Sequence, residues 1–401
     1  MSLSRLVCDP ASPQSSAAAL ARALARSEWV QLLGPSASTD SPDPGLLPPG
    51  SGVLLSTGGS SGERRLCAQP CRHLDRSAAA TGDWLRSIGL APEQACLFNP
   101  LPFHHMSGLM PWWRARCWGA QHVRLEPGLM KTPEALLAAR RSWPVGPRLL
   151  SLVPTQLKRL LDHPAGLEWL QGFDLIWVGG AALHGDLAER ARGAGVPLAP
   201  CYGSTETAAM VAALPPQRFL AGETGCGDAL PDVQWRLASD GGLELRTPRI
   251  ALGCWQPEQP DCLQRLTDAA GWWRSGDCAR LTPGLQILGR LDTAIHSGGE
   301  TVFPEQLEQR LQVAMHSVGL SVDAVLLLAI PDPEWGERLV ALVKAEDSRV
   351  LEAVQRLTQT WPPAEQPQRW LLCPELAPSA LGKWQRQRWR EWLKRLDAAE
   401  A

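Results

Sequence analysis

Short apolar runs at 52–56, 95–100, 148–154, 174–179 and 197–202 alternate along this chain with stretches whose apolar positions recur at helical spacing, among them 72–88 and 183–194. Alternation of this kind predicts a mainly parallel sheet with helices on its faces. Ligands bind such a sheet beyond the carboxyl ends of its strands. Two loops fall there, one after Ser56 and one running from Tyr202 to Glu206. Ahead of them, residues 15–33 carry Ala, Leu and Arg at helical spacing and predict a helix, and a Pro/Gly/Ser-rich connector follows over 35–52.

From about 221 to 290 the pattern changes to short glycine-punctuated strands, including Gly242-Leu243-Glu244-Leu245-Arg246, and predicts a small β-rich subdomain. A third region follows Asp292, with a helix over 304–318, strands at 322–330 and 339–344, a helix over 350–359 and a last helix after Gly382. The expected fold class is α/β: a large N-terminal part with mainly parallel sheets and the β-rich subdomain, residues 1–291, then a smaller α+β C-terminal domain, residues 292–401. No internal repeat is visible.

A chain of 401 residues, 44% hydrophobic and 20% charged, holds enough core for two or three domains without staples. Its formal net charge of -2 leaves no electrostatic footprint for nucleic acid, and the Arg-rich stretch from Lys383 to Arg390 reads as a solvated helix face. Eleven cysteines occur without a Cys-x-x-Cys pair or zinc-type spacing, which indicates neither a disulfide framework nor a zinc site. No run approaches the roughly 20 apolar residues of a membrane span, and the first ten residues lack the apolar core of a signal peptide. A cytoplasmic location is the expectation. Lysine is confined to Lys131, Lys158, Lys344, Lys383 and Lys394, so each draws attention as a position arginine does not fill.

The candidate chemistry begins at Ser56-Thr57-Gly58-Gly59-Ser60-Ser61-Gly62-Glu63-Arg64-Arg65. Glycines bring backbone N–H groups close to a ligand and hydroxyls add donors, so the loop suits a polyphosphate such as ATP. On its own, a Ser/Gly cluster after a strand is more often a solvated connection, and this one lacks the Gly-Lys-Ser/Thr ending of a P-loop. Further segments follow in order: Val178-Gly179-Gly180-Ala181, Tyr202-Gly203-Ser204-Thr205-Glu206, Trp273-Arg274-Ser275-Gly276-Asp277, Gly289-Arg290-Leu291-Asp292, Ser297-Gly298-Gly299-Glu300 with Phe303-Pro304-Glu305, and Gly382-Lys383. Together they resemble the adenylate-forming superfamily of acyl-CoA synthetases, from about Gly52 to Arg386.

The resemblance implies ATP, Mg²⁺ and coenzyme A as ligands and assigns roles to these positions. Thr57, Gly59, Ser60, Ser61 and Gly62 would hold the β- and γ-phosphates; the family's usual Pro-Lys is Arg64-Arg65 here, which keeps charge but not point-donor geometry. Gly179, Gly180 and Ala181 would lie beside adenine and the Tyr202 ring would stack on it, with Gly203 in the same loop. Thr205 would donate to the α-phosphate and Glu206 would hold Mg²⁺, although an acid there also suits the first turn of a following helix. Asp277, joined by Arg290, would accept the ribose hydroxyls, and Lys383 would touch the substrate carboxylate and the α-phosphate. Asp292 would be the hinge of a mobile C-terminal domain, whose rotation brings Gly298 and Gly299 alongside pantetheine; the pair also reads as a plain hairpin turn. The part ahead of the phosphate loop, about fifty residues, is short for the family and implies a lost or abbreviated first subdomain.

Leu101-Pro102-Phe103-His104-His105-Met106-Ser107-Gly108-Leu109 and Val153-Pro154-Thr155-Gln156-Leu157 are similar to segments of o-succinylbenzoate–CoA ligases. By that resemblance His105, Thr155 and Gln156 contact the acid, and the product belongs to menaquinone or phylloquinone synthesis. Three other readings stay open on sequence: the same chemistry on another aromatic or short acyl acid, an adenylation domain loading a carrier protein, and a nucleotide-binding scaffold without catalysis.

Overall fold

The computed structural model describes residues 2–9, 13–35, 37–58, 64–345, 347–378 and 384–400. The first of four sheets has strand order Leu3–Val7, Trp29–Leu33, Gly52–Gly58, Arg64–Pro70, Cys254–Gln256, Gln259–Gln264; the first three are parallel and the rest antiparallel. Two expectations are corrected here. The helix foreseen over 15–33 covers Pro13–Ala25 and stops, because Ser27 turns the backbone at φ 60° and the wholly buried Trp-Val-Gln-Leu-Leu run becomes a central strand. The run 52–56 belongs with that strand, not with the later parallel strands. The region ahead of Gly52 thus supplies two strands and the helix that joins them. Its connector carries a buried Leu47 and a short 3-10 turn, Pro44–Leu46, capped by Asp43.

The second sheet runs Asp228–Ala229, Ala209–Ala213, Leu198–Ser204, Leu175–Val178, Arg148–Leu152, Cys96–Asn99, Gln121–Arg124, and its last five members are parallel; four of these are the apolar runs that the alternation predicts, and the edge strand Gln121–Arg124, mostly polar, is one that it does not mark. Helices Cys71–Ser87 and Met106–Trp118 form a layer between the two sheets: Leu74 and Ala78 pack with Val53 and Leu55, whereas Trp84, Leu85 and Ala115 pack with Leu97, Leu149 and Trp177. Trp113 and Trp118 tie the two helices together by donating to the Asp75 carboxylate at 2.9 Å and the Ala78 carbonyl at 3.0 Å. The far face is covered by helices Pro154–Leu161, Pro164–Leu170 and Gly185–Gly193.

The β-rich region forms a four-stranded antiparallel sheet, Gln234–Leu237, Gly242–Arg246, Trp273–Arg280, Gln286–Arg290, but also lends Cys254–Gln256 and Gln259–Gln264 to the first sheet. The last sheet holds Glu300–Val302, Ile295–Ser297, Gly336–Lys344, Ala324–Asp332 and Arg369–Leu372. Helices Pro304–Ser317 and Ser348–Arg356 pack on one face and Arg386–Glu400 on the other. Among the described residues no helix is long and apolar enough to cross a membrane, and all eleven cysteines are free.

Candidate active site

Strand Leu198–Ser204 ends in a turn over residues 205–208, from which Ala209–Ala213 returns antiparallel. No helix follows Glu206, so its carboxylate is not a helix-opening acid. The turn is strained: Ala208 and Ala209 have φ of 51° and 83°, conformations that cost non-glycine residues about 1–3 kcal/mol each. Neighbouring groups hold it in place. Gln69, fully buried, donates to the Thr205 carbonyl at 2.7 Å and the Glu206 carbonyl at 3.1 Å, and Ala251 N–H donates to the Glu206 carbonyl at 2.7 Å. Arg249, also fully buried, donates to the Thr207 carbonyl at 2.5 Å and grips Asp232 through Nε and Nη2 at 2.7 and 3.1 Å. Behind Gln69 stands His73, whose Nδ1 lies 3.2 Å from the Gln69 Oε1. Burial first, then Arg72, Arg76 and Arg249, pushes His73 down to about 4, so the neutral ring donates to that oxygen.

The same strand reaches the ribose candidate. The Tyr202 hydroxyl donates to Asp277 Oδ2, while Arg290, directly opposite Asp277 in the ladder, approaches Oδ1 at 3.4 Å. Burial pushes the Asp277 carboxyl up, against the lowering influence of Tyr202 and Arg290. The Tyr202 hydroxyl thus orients the Asp277 carboxylate. Arg290 also reaches across to Asp292 with bonds of 3.2 and 3.1 Å, so one guanidinium joins Asp277 to Asp292. Gly203 is required by close approach, since a Cβ there would lie 2.2 Å from the Ala209 carbonyl oxygen. Gly179, Gly180 and Ala181 form the loop after the neighbouring strand Leu175–Val178. A Cβ on Gly179 would meet Cys201 Sγ at 2.9 Å.

Thr57 lies near the end of strand Gly52–Gly58, paired with Arg65 across a hairpin. Gly59, Ser60, Ser61 and Gly62, like Lys383, lie outside the described residues. His105 opens helix Met106–Trp118 and, with His104, Gly34, Ser56 and Leu66, lines a cavity of about 520 Å³. Thr155 is exposed, and Gln156 is occupied locally, accepting from the Val153 N–H at 3.3 Å at the start of its own helix. Gly298 and Gly299, with φ of 59° and 85°, form the hairpin turn between Ile295–Ser297 and Glu300–Val302, and the Trp335 ring covers Gly298.

The model of the AMP-binding enzyme family matches residues 52–249. The 2-succinylbenzoate–CoA ligase of Salmonella typhimurium is 30% identical over 346 residues, 85% of this chain and 68% of that one. The chain belongs to the AMP-binding enzyme family. The Escherichia coli 2-succinylbenzoate–CoA ligase is 32% identical over 297 residues, 74% of this chain; the match spans only 59% of that protein's length. A single-substitution variant of Escherichia coli MenE with bound OSB-AMS superposes over 98% of this chain and 87% of its own, with TM-score 0.70 and 25% identity. The o-succinylbenzoate CoA synthetase of Bacillus subtilis, in complex with its acyl-adenylate intermediate, shares the fold with TM-score 0.75 at 18% identity, over 96% and 87% of the two chains.

Within the AMP-binding segment the structure adds a residue that the sequence does not mark. Arg114, on helix Met106–Trp118, is 4% exposed, and its guanidinium lies over the Trp177 ring, 5.3 Å from the centroid. No carboxylate among the described residues pairs with it, its Nε has no hydrogen-bond partner, and burial pushes it down to about 10. Trp177 leads into Gly179, and Cys201, whose thiol Arg114 also influences, precedes Tyr202, so this cation sits beside the strands that lead into the 179–181 loop and the 205–208 turn. An unpaired buried guanidinium is costly unless a ligand anion completes it.

Proposed function

We propose that this chain activates o-succinylbenzoate with ATP and transfers the acyl group to coenzyme A. In the first half-reaction a carboxylate oxygen bonds to the α-phosphorus and the bond to pyrophosphate breaks. In the second, the CoA thiolate bonds to the acyl carbon and AMP leaves. The observation that carries the reading is the convergence of the Thr205-Glu206 turn, Tyr202 and the Asp277–Arg290 pair at the carboxyl end of one parallel strand. Ligands bind at such ends.

Each role follows from chemistry already described. Asp277, oriented by Tyr202 and Arg290, accepts from the ribose hydroxyls. Thr205 donates to the α-phosphate. Glu206 offers one hard oxygen, and no cluster of three His, Cys, Asp or Glu side chains surrounds it among the described residues. That fits Mg²⁺, which is commonly held by one or two carboxylates with phosphates and water. When bound, the ion offsets phosphate charge. The loop over 57–62 holds the terminal phosphates, and Lys383 bridges substrate carboxylate and α-phosphate. Arg114 meets the second carboxylate of o-succinylbenzoate, which a monocarboxylic acid lacks. The boundary of the mobile part falls at Asp292, and the Gly298-Gly299 turn borders the pantetheine path. The location is cytoplasmic, in keeping with eleven free cysteines, and the product serves menaquinone or phylloquinone synthesis.

Purified protein given o-succinylbenzoate, Mg-ATP and CoA should yield AMP and a thioester of the mass of succinylbenzoyl-CoA. Release of ADP, or a thioester only from another acid, would refute the reaction or the substrate respectively.

A further inference from the structure

The mostly polar edge strand Gln121–Arg124 lies where the segment carrying His104 and His105 begins. Asn99, the last residue of the neighbouring strand Cys96–Asn99, stands directly opposite Arg124 and is fully buried. Its Oδ1 accepts from the Leu101 N–H at 3.0 Å and its Nδ2 donates to the Gly108 carbonyl at 2.8 Å, so one side chain spans both ends of the 101–108 segment. Arg124 donates through Nη1 to the Asn99 carbonyl at 3.1 Å and to the Leu101 carbonyl, and burial pulls this guanidinium below its ordinary value. Between these holds the chain doubles back tightly. The His105 N–H donates to the Pro102 carbonyl at 3.1 Å, and a Cβ on Gly108 would lie 2.0 Å from the same oxygen.

The flanking elements do not need either residue to stay in place. Cys96–Asn99 is paired on both sides in its sheet, and helix Met106–Trp118 is fixed by Leu109, Met110 and Trp113 in a hydrophobic core. What Asn99 and Arg124 set is the path of residues 101–105, and with it the cavity wall on which His104 and His105 stand, their rings 4.3 Å apart. That wall has little slack: a Cβ on Gly34, across the cavity, would meet His104 Nε2 at 2.9 Å. Satisfied buried polar groups of this kind hold a single arrangement. We propose that Asn99 and Arg124 are positioning residues for the His104–His105 wall and so set the fit of the acid. This rests on the o-succinylbenzoate reading, with His105 in contact with the acid.

The test measures acid-dependent pyrophosphate exchange by the full chain carrying Asn99→Leu, Arg124→Met, His105→Ala, or Asn99→Leu with His105→Ala, and the denaturant midpoint of each. Asn99→Leu keeps the branched shape but deletes both loop bonds. It should raise KM for o-succinylbenzoate by about 10-fold or more, the scale for misplacing a contact by part of an ångström, with KM for ATP within about 2-fold. Arg124→Met frees the two carbonyls from a half-buried position and should move the same constant in the same direction, so it carries the test if Asn99→Leu does not fold. In the His105→Ala background, Asn99→Leu should raise that KM no further. A lowered midpoint with both KM values intact, equal rises in both, or additive effects overturn the positioning role. A native KM for the acid in His105→Ala removes the contact beneath the proposal, and the proposal with it. Native protein that shows no acid-dependent exchange refutes the reaction itself, and the proposal falls with that reading.

Discussion

Tyr202, Asp277 and Arg290 stand out in the sequence because their chemistry sits in short, glycine-marked segments, and the structure brings them into one hydrogen-bonded group. Arg114 does not stand out. In a chain where arginine supplies nearly all the positive charge, one more arginine in a Trp-rich helix carries no signal; only its burial and lack of a carboxylate distinguish it. Its assignment yields a two-part expectation. Arg114→Leu removes an uncompensated buried cation, so the unliganded protein should unfold at the same denaturant midpoint or a higher one. The same change should raise KM for o-succinylbenzoate by about 30-fold or more, the scale for losing a buried charged hydrogen-bond partner, and leave KM for ATP unchanged. Loss of stability with intact KM would mean that the residue is structural. Gln156, by contrast, was legible only by resemblance, and its side chain is engaged in starting its own helix.

Among the elements, four strands of the parallel sheet follow directly from their apolar runs, the edge strand Gln121–Arg124 does not because its residues are mostly polar and only partly buried, and the sharpest departure is at 25–33. Periodicity continues there, but the Ser27 turn and the demand for a buried strand beside Gly52–Gly58 override it. The strained 205–208 turn is invisible in sequence because its supports, Gln69, His73 and Arg249, are far away in the chain. His73 gives this support a pH dependence. Its folded value of about 4 lies below the ordinary 6.5, so its contribution is complete above 6.5 and is lost as pH falls toward 4. At most about 3 kcal/mol is at stake for a shift of that size. His73→Gln keeps a donor for Gln69 without titrating, and its unfolding free energy should fall less steeply than the native protein's between pH 6.5 and 4 in chemical denaturation. Parallel profiles would show that His73 does not titrate in this window.

For the whole molecule, the change of pattern near 221 and again after Asp292 announces separate sheets, yet the lending of strands 254–256 and 259–264 to the first sheet is a long-range pairing that no local pattern encodes. The contribution of Trp29–Leu33 to the first sheet is likewise hidden by the helical reading of that run. These parts serve one chemical claim, that the assembled site joins a dicarboxylic aromatic acid to AMP. The most direct measurement is exchange of labelled pyrophosphate into ATP by the purified chain with Mg²⁺ and without CoA, in the presence and absence of o-succinylbenzoate. Exchange that requires the acid, and is much weaker with benzoate, is the result this account predicts; no acid-dependent exchange by folded protein would contradict it.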